Sequence, residues 1–266
     1  MATKNVPPSV LDELRRNLER LKLRAMAQHL DEALEQASAT EQGYITFVSG
    51  LVQREVLARA ESSRKRRTTT ARFPVHKTFD TFDWGFQQHL NIQLVKDLQN
   101  LHFIDQGRPV LLLGKPGVGK THMSVAYGLL AVQRGYSVRF FKASALLADL
   151  YASLADGSTE RLVRRLSHID LLIIDDLRHI PMRSEYATLL FDLVEARHGH
   201  RSTMLSSNLS VKAWGEVLGN PALTASLVDR LMERAHVINI RRGRSYRTAG
   251  PDASPDCPTE LGADEA

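Results

Sequence analysis

The sequence is poor in cysteine and has no long hydrophobic run. Its one cysteine, Cys257, lies in a polar C-terminal stretch, which excludes a disulfide framework and a zinc site built from cysteines. Apolar runs such as Val110–Leu113 are far too short to span a bilayer. The first ten residues also lack the apolar centre of a signal peptide. We therefore expect a cytoplasmic protein with no membrane partner.

Basic residues are absent from the C-terminal stretch, and this makes the charge distribution uneven. Residues 248–266 contain five acidic side chains, although the whole chain has a formal net charge of +5. Residues 1–247 therefore have a formal charge of +10, which favours a polyanionic partner such as nucleic acid. Residues 248–266 are rich in Pro, Gly, Asp and Ala, so we predict a disordered acidic tail there.

The N-terminal quarter of the chain has the hydrophobic spacing of amphipathic helices. Apolar residues recur every three or four positions over residues 9–30, and a second helix is predicted over residues 45–60. We interpret residues 1–67 as a small helical domain of its own. Its last four residues are basic: Arg64, Lys65, Arg66 and Arg67. They are either the solvated end of a helix or an arm that contacts phosphate.

From residue 109 onward, short apolar strands alternate with helices. The expected strands cover residues 110–113, 137–142, 171–174, 203–206 and 236–240. The expected helices cover residues 121–133, 145–154, 159–166, 184–197 and 223–233. This alternation predicts an α/β fold over residues 68–247, with a doubly wound parallel sheet and helices on both faces.

One loop between a strand and a helix is the strongest functional motif in the chain. Gly114-Lys115-Pro116-Gly117-Val118-Gly119-Lys120-Thr121 matches the pattern G-x-x-x-x-G-K-[ST] and directly follows a buried strand. Its glycines let backbone N–H groups surround phosphate oxygens. Lys120 provides charge for the β- and γ-phosphates, and the Thr121 hydroxyl is a ligand for Mg²⁺. The loop therefore predicts a nucleoside triphosphate site.

Four polar residues further along the chain are candidates for hydrolysis. Asp175 ends an apolar strand, where we expect it to hold Mg²⁺ through water, and the adjacent Asp176 would orient the attacking water. Asn208 follows a strand that we expect beside the Asp175 strand, within reach of a γ-phosphate. Arg230 is a candidate arginine finger. The alternatives are a simple Asn turn at Asn208 and a surface ion pair at Arg230.

The order of these motifs resembles that of the IstB-like ATPases of bacterial insertion sequences. That family is similar to bacterial helicase loaders and belongs to the AAA+ class. The resemblance runs from about residue 9 to residue 247 and includes the phosphate-binding loop and the acidic strand end. It also includes residues 79–83, 136–140, 206–209, 214–217, 229–231 and 245–247.

The resemblance implies an AAA+ P-loop NTPase core that uses ATP and Mg²⁺. It further implies a homo-oligomer that binds double-stranded DNA, deforms it and stimulates a partner transposase. The helical domain of residues 1–67 would then interact with the transposase or with DNA. Asn208 would then be a sensor of the γ-phosphate, and Arg230 would act in a neighbouring subunit's site. The DNA would face a helix near residues 144–154, with Lys142, Arg178 and Arg183 as contacts to phosphate. Residues 79–84 would border the adenine site or pack in the core.

The chain departs from the AAA+ pattern in two places. Many AAA+ proteins have Glu where this chain has Asp176, so hydrolysis is expected to be slow or stimulated by a partner. Residues 241–266 are too few for a full C-terminal helical lid, and Arg247 is the candidate substitute for the arginine sensor of that lid. A helicase loader is the main alternative function. A small-molecule kinase and a module that binds ATP without hydrolysis are further alternatives.

Overall fold

The chain divides into two units between Arg66 and Arg67. The computed structural model describes residues 8–178, 184–214, 220–240 and 243–246. Four of the sequence predictions concern residues outside these ranges: Arg183, Arg247, the lid and the acidic tail over residues 248–266. In the part of the chain that is described, no helix has both the length and the apolar character that a membrane span needs.

From residue 8 onward, the N-terminal unit contains the helices α1 (Pro8–Arg20) and α2 (Arg24–Ala39), and α3 (Tyr44–Ala71) leads out of it. The prediction of one helix over residues 9–30 is wrong, because the chain turns at Lys22, which has a φ of 57°. The Glu55 carboxylate accepts hydrogen bonds from the Ala25 and Met26 N–H groups, at 2.8 and 3.2 Å. These are first-turn donors with no partner inside the helix, so Glu55 stabilises a new start at α2.

The second unit contains a sheet of five parallel strands in the order β2-β3-β4-β1-β5. The strands are β1 (Val110–Gly114), β2 (Val138–Lys142), β3 (Leu171–Leu177), β4 (Ser202–Ser207) and β5 (His236–Ile240). Strand β1 lies between β4 and β5, and β3 pairs with β4. The predicted parallel α/β sheet and the expected adjacency of the Asp175 and Asn208 strands are therefore confirmed.

Helices cover both faces of the sheet because the side chains of its strands alternate between two apolar clusters. Leu112 and Ile173 belong to the cluster that contains α6 (Lys120–Gln133), whereas Leu111 and Ile174 belong to the opposite one. Further helices in the described ranges are α7 (Ala143–Ala155), α8 (Thr159–Ser167), α9 (Ser184–Glu195) and α10 (Pro221–Met232).

The segment between α3 and β1 contains short helices that the sequence patterns did not predict. They are α4 (Ile92–Asp97), α5 (His102–Asp105) and the 3₁₀ turns Phe79–Thr81 and Leu98–Asn100. Val95 and Phe103 of this segment are buried in the α6 cluster. The Tyr127 hydroxyl donates a hydrogen bond to the Val95 carbonyl at 2.7 Å, which ties the segment to α6.

Candidate nucleotide site

The phosphate-binding loop connects the carboxyl end of β1 to the first turn of α6. Gly117 and Gly119 have φ values of 79° and 96°, a region that side chains with a Cβ rarely adopt. The loop therefore turns back on itself immediately before α6 begins at Lys120. This arrangement points the first N–H groups of the helix at the space inside the loop, where an anion binds.

Lys120 is held inside its own loop. Its Nζ donates hydrogen bonds to the carbonyls of Gly114 and Lys115, both at 2.7 Å, and the residue is only 8% exposed. A phosphate oxygen that enters the loop offers this ammonium a charged acceptor in place of neutral carbonyls. Since hydrogen bonds between charged groups are stronger than neutral ones, Lys120 is placed to bind phosphate.

Asp175 is the central acceptor of a buried polar network. Its Oδ2 accepts a hydrogen bond from the Thr121 hydroxyl at 2.8 Å, and its Oδ1 accepts one from the Ser206 hydroxyl at 2.5 Å. The carboxylate is 3% exposed, so these hydroxyls compensate for lost water. The two residues predicted as Mg²⁺ ligands are thus in direct contact.

The donor set at this position fits Mg²⁺. A hydroxyl and a carboxylate are the hard oxygen donors that this ion prefers, and phosphates and water normally complete its shell. Over the described ranges, no group of three or more His, Cys, Asp or Glu side chains could hold a metal ion. Thr121 and Asp175 are the side chains that would hold the ion together with a bound triphosphate.

The two adjacent aspartates lie in a β-bulge of β3. Ile174 pairs with Leu205 and Leu177 pairs with Ser207, so β3 contains one more residue than β4 over this stretch. Asp176 takes the extra position with a φ of 64°, and its N–H donates to the Ser206 hydroxyl at 2.9 Å. The carboxylate of Asp176 forms an ion pair with Arg178 at 2.8 Å. Bulges of this kind redirect side chains near active sites.

The two remaining candidates for hydrolysis, Asn208 and Arg230, are not members of this hydrogen-bond network. Asn208 is exposed and directly follows β4. Arg230 lies on α10, and its Nε donates to Glu195 of α9 at 2.7 Å. Neither residue hydrogen bonds to the Asp175 network in the described part of the chain. Ser206 is the residue that sequence reasoning missed, because its importance depends on the register of β4 against β3.

Aromatic residues before the sheet pack on the phosphate-binding loop. The Phe82 ring lies so close to Gly119 that a Cβ there would be 2.9 Å from Phe82 Cε2. It also contacts the His122 ring, with centroids 5.1 Å apart. Burial lowers the pKa of His122, whose Nε2 lies 2.7 Å from the Thr78 carbonyl oxygen. Phe82 is buried in the α6 cluster, so core packing accounts for this ring.

The last described residues also contact the loop. The Tyr246 N–H donates to the Gly117 carbonyl at 2.9 Å, and a Cβ on Gly117 would collide with the Ser245 side chain. The Tyr246 ring meets the Phe86 ring at 4.8 Å between centroids. Gln87 donates from Nε2 to the Arg244 carbonyl at 2.7 Å. The phosphate-binding loop is therefore contacted by a segment that precedes β1 and by a segment that follows β5.

A family model described as IstB-like ATP binding protein matches residues 16–251. The chain belongs to this family. It is 36% identical over 237 residues to the ATP-binding protein of insertion sequence IS21 from Pseudomonas aeruginosa, covering 89% of each chain. It is 34% identical over 235 residues to that of IS232 from Bacillus thuringiensis subsp. berliner, covering 88% of this chain and 94% of the relative. ATP binding by an AAA+ P-loop core follows from the family and the fold.

Solved structures with the same fold include proteins of DNA replication. The DnaC helicase loader matches with a TM-score of 0.51 and 19% identity, over 63% of this chain and 99% of that one. AMPPCP-bound DnaA from Aquifex aeolicus matches with a TM-score of 0.53 and 21% identity, over 66% of this chain and 53% of that one. At these identities the likeness shows the fold alone, and it confirms the AAA+ core predicted for this IstB-like chain.

The basic residues proposed to contact DNA differ in their surroundings. Lys142 is exposed at the end of β2, and Arg178 is paired with Asp176. Arg64 and Lys65 both form ion pairs with Glu61, at 2.8 and 3.7 Å. The basic run over residues 64–67 lies within α3, which continues to Ala71, so it is not the end of a helix. DNA contacts by this IstB-like protein stay a prediction.

Proposed function

We propose that this protein is a Mg²⁺-dependent ATPase that binds double-stranded DNA as a homo-oligomer and helps a transposase by selecting and deforming target DNA. The observation that carries the proposal is the contact of Thr121 with Asp175 beside the phosphate-binding loop. The relatives' place in insertion sequences supports a transposase as the partner.

The polar network suggests how the chain's own residues would support hydrolysis. When bound, Mg²⁺ would neutralise charge on the phosphates. Lys120 would turn from the loop carbonyls to the β- and γ-phosphates, and Asp175 would be fixed by the Ser206 hydroxyl. Asp176 would orient the attacking water once its carboxylate is released from Arg178. Because this ion pair occupies the candidate water-orienting group, slow hydrolysis in the absence of a partner is expected.

Binding to DNA is supported by charge. Residues 1–247 have a formal charge of +10, and the candidate residues Lys142, Arg178, Arg183, Arg64, Lys65, Arg66 and Arg67 are all cationic. Contacts of this type reach phosphates rather than base edges, so binding would be largely independent of sequence. Each phosphate contact releases counterions, and affinity would therefore fall steeply as salt concentration rises.

The first experiment measures the size of the particle formed on a non-specific duplex. We expect a large complex with ATP, a much smaller one with ADP or no nucleotide, and loss of the ATP complex at higher salt. Light scattering or analytical ultracentrifugation at two salt concentrations provides this measurement. Lys120→Ala is the control, because it removes the phosphate-binding charge and should abolish assembly. A chain that stays monomeric on DNA in every nucleotide state would contradict the proposal.

A helicase loader is the second candidate, because the DnaC loader matches over nearly its whole length. The two functions differ in the partner of the N-terminal unit. Stable binding of residues 1–66 to a replicative helicase, with no effect on transposition, would favour the loader. Stimulation of strand transfer by the partner transposase would favour the transposition helper.

A further inference from the structure

The order of the strands fixes the direction in which a bound nucleotide crosses the sheet. Strand β1 carries the phosphate-binding loop and lies between β4 and β5. The acidic residues for the γ-phosphate end lie on the β4 side, at the end of β3. The nucleoside end of the same molecule therefore leaves the loop toward β5, where the chain continues to residues 243–246.

Two segments meet at the β5 side of the loop. Residues 243–246 contact Gly117 through Tyr246 and Ser245, and residues 82–87 contact Gly119 through Phe82. The segments also contact each other, since Phe86 packs on Tyr246 and the Arg244 guanidinium lies 5.4 Å from the centre of the Phe86 ring. A base at this position would be bordered by rings and by backbone.

Gln87 is a buried polar side chain with an unused acceptor at this junction. The residue is 3% exposed, and its Nε2 donates to the Arg244 carbonyl at 2.7 Å. Its Oε1 has no hydrogen-bond partner in the described structure. The orientation of the amide is fixed, because exchanging its two ends would place Oε1 against a carbonyl oxygen. Buried acceptors without a partner are rare, and one near a ligand site points to a ligand donor.

We propose that Gln87 is the residue that selects adenine, with its Oε1 accepting a hydrogen bond from the exocyclic amino group of the base. The inference rests on the proposed function, since it assumes that a nucleotide occupies the loop. Adenine has a donor at this position, whereas hypoxanthine and guanine have a carbonyl oxygen. With those bases, the Gln87 Oε1 would lie against the carbonyl oxygen of the base. The amide cannot rotate to relieve this contact without losing the hydrogen bond from its Nε2 to the Arg244 carbonyl.

Equilibrium binding of ADP and IDP tests this role without any need for hydrolysis. In the base, these two diphosphates differ at C6, where an oxygen replaces the amino group, and at N1, which carries a hydrogen in hypoxanthine. We expect the wild-type chain to bind ADP roughly ten- to hundredfold more tightly than IDP, the cost of an unpaired buried polar group. In Gln87→Met, which keeps the length and removes the acceptor, ADP affinity should fall to about that of IDP. IDP affinity should stay unchanged or increase.

The adjacent Gln88 provides a matched control, because it is an exposed glutamine in the same segment. Gln88→Met should leave the ratio of ADP to IDP affinity at its wild-type value. An equal loss of both affinities in Gln87→Met would mean that Gln87 only supports the fold, and this would overturn the proposal. So would an unchanged ratio.

The wild-type chain alone decides the question if Gln87→Met does not fold. The nucleoside diphosphate of unsubstituted purine, which has hydrogen in place of the amino group, should then bind between ADP and IDP. IDP binding as tight as ADP binding would overturn the selection role and leave nucleotide binding intact. Failure of the proposed function itself is different, because neither diphosphate would then bind.

Discussion

At the scale of single residues, Ser206 links the two aspartates of the candidate site. Its hydroxyl donates to Asp175 and accepts from the Asp176 N–H. We predict that Ser206→Ala lowers ADP affinity about tenfold when Mg²⁺ is present, because residues that orient a metal ligand typically contribute this much. Affinity in EDTA should be unchanged. Titration of ADP with and without Mg²⁺ measures the difference.

Ser207 is the matched control for this prediction. It is equally buried and follows Ser206 directly, but its hydroxyl donates to the Leu177 carbonyl, away from both carboxylates. Ser207→Ala should therefore reduce stability and leave the Mg²⁺ dependence of ADP binding intact. If both serine variants lose the same Mg²⁺-dependent affinity, the effect comes from β4 as a whole and not from the hydroxyl on Asp175.

Residues of the site differ in how far the sequence predicts them. Thr121 and Asp175 were predictable, because a loop motif and an acid at a strand end define their places without knowledge of the pairing. Ser206 depends on the register between β3 and β4. The left-handed backbone of Asp176 depends on a bulge in β3, and no residue in this stretch predicts that bulge. Gln87 can be recognised as a candidate site residue only from the structure, in which residues 243–246 contact it.

At the scale of elements, Arg197 joins α8, the loop that leads into β3, and β4 from within the core. The residue is 1% exposed, and its guanidinium donates to the Thr203 hydroxyl and to the carbonyls of Leu166, Ile169 and Ser202. Burial lowers the pKa of Arg197 to about 9. The charge is costly in the core, yet it satisfies backbone acceptors where three elements meet.

We predict that Arg197→Met lowers the free energy of unfolding by about 3 kcal/mol, because it leaves several buried carbonyls without a donor. Chemical denaturation followed by circular dichroism measures this loss. Arg201→Met is the control: Arg201 is exposed and pairs with Asp170 at 3.7 Å, so its replacement should cost less than about 1 kcal/mol. Equal losses in the two variants would contradict a special role for Arg197.

Helices and strands are predictable from the sequence where the spacing of apolar residues fits one type of element clearly. Strand β5 was predicted at its observed bounds, and the strands of the sheet were all found, because buried parallel strands are short apolar runs between turn signals. The break between α1 and α2 was missed, since the apolar spacing continues through it. Helices α4 and α5 were missed because they are too short to show a period.

At the scale of the whole molecule, the proposed oligomer depends on Arg230 reaching a neighbouring site. Asp176→Asn removes the candidate water-orienting carboxylate but keeps nucleotide binding and this arginine, whereas Arg230→Ala removes the arginine and keeps Asp176. We predict that each variant alone loses at least about 99% of the ATPase activity. An equal mixture should recover about a quarter of wild-type activity, the fraction of randomly formed interfaces that pair an intact site with an intact arginine.

A steady-state ATPase assay over a range of mixing ratios measures this recovery. Arg234→Ala is the control, since Arg234 lies just beyond the end of α10 at Met232, with a φ of 56°, and should retain activity both alone and in mixtures. Absence of recovery would mean that Arg230 acts within its own subunit or not at all. Full activity of Arg230→Ala alone would show that this arginine forms surface ion pairs, with Glu195 and Asp229, and does not act in hydrolysis.

The pairing of β1 with later strands has a consequence for synthesis of the chain. Strand β1 ends at Gly114, whereas its neighbours β4 and β5 begin at Ser202 and His236. At translation rates of about 5–20 residues per second, several seconds pass between the synthesis of β1 and the synthesis of either neighbouring strand. A nascent chain that stalls before Ser202 would therefore expose both edges of β1, and the contact of Tyr246 with Gly117 in the phosphate-binding loop forms last.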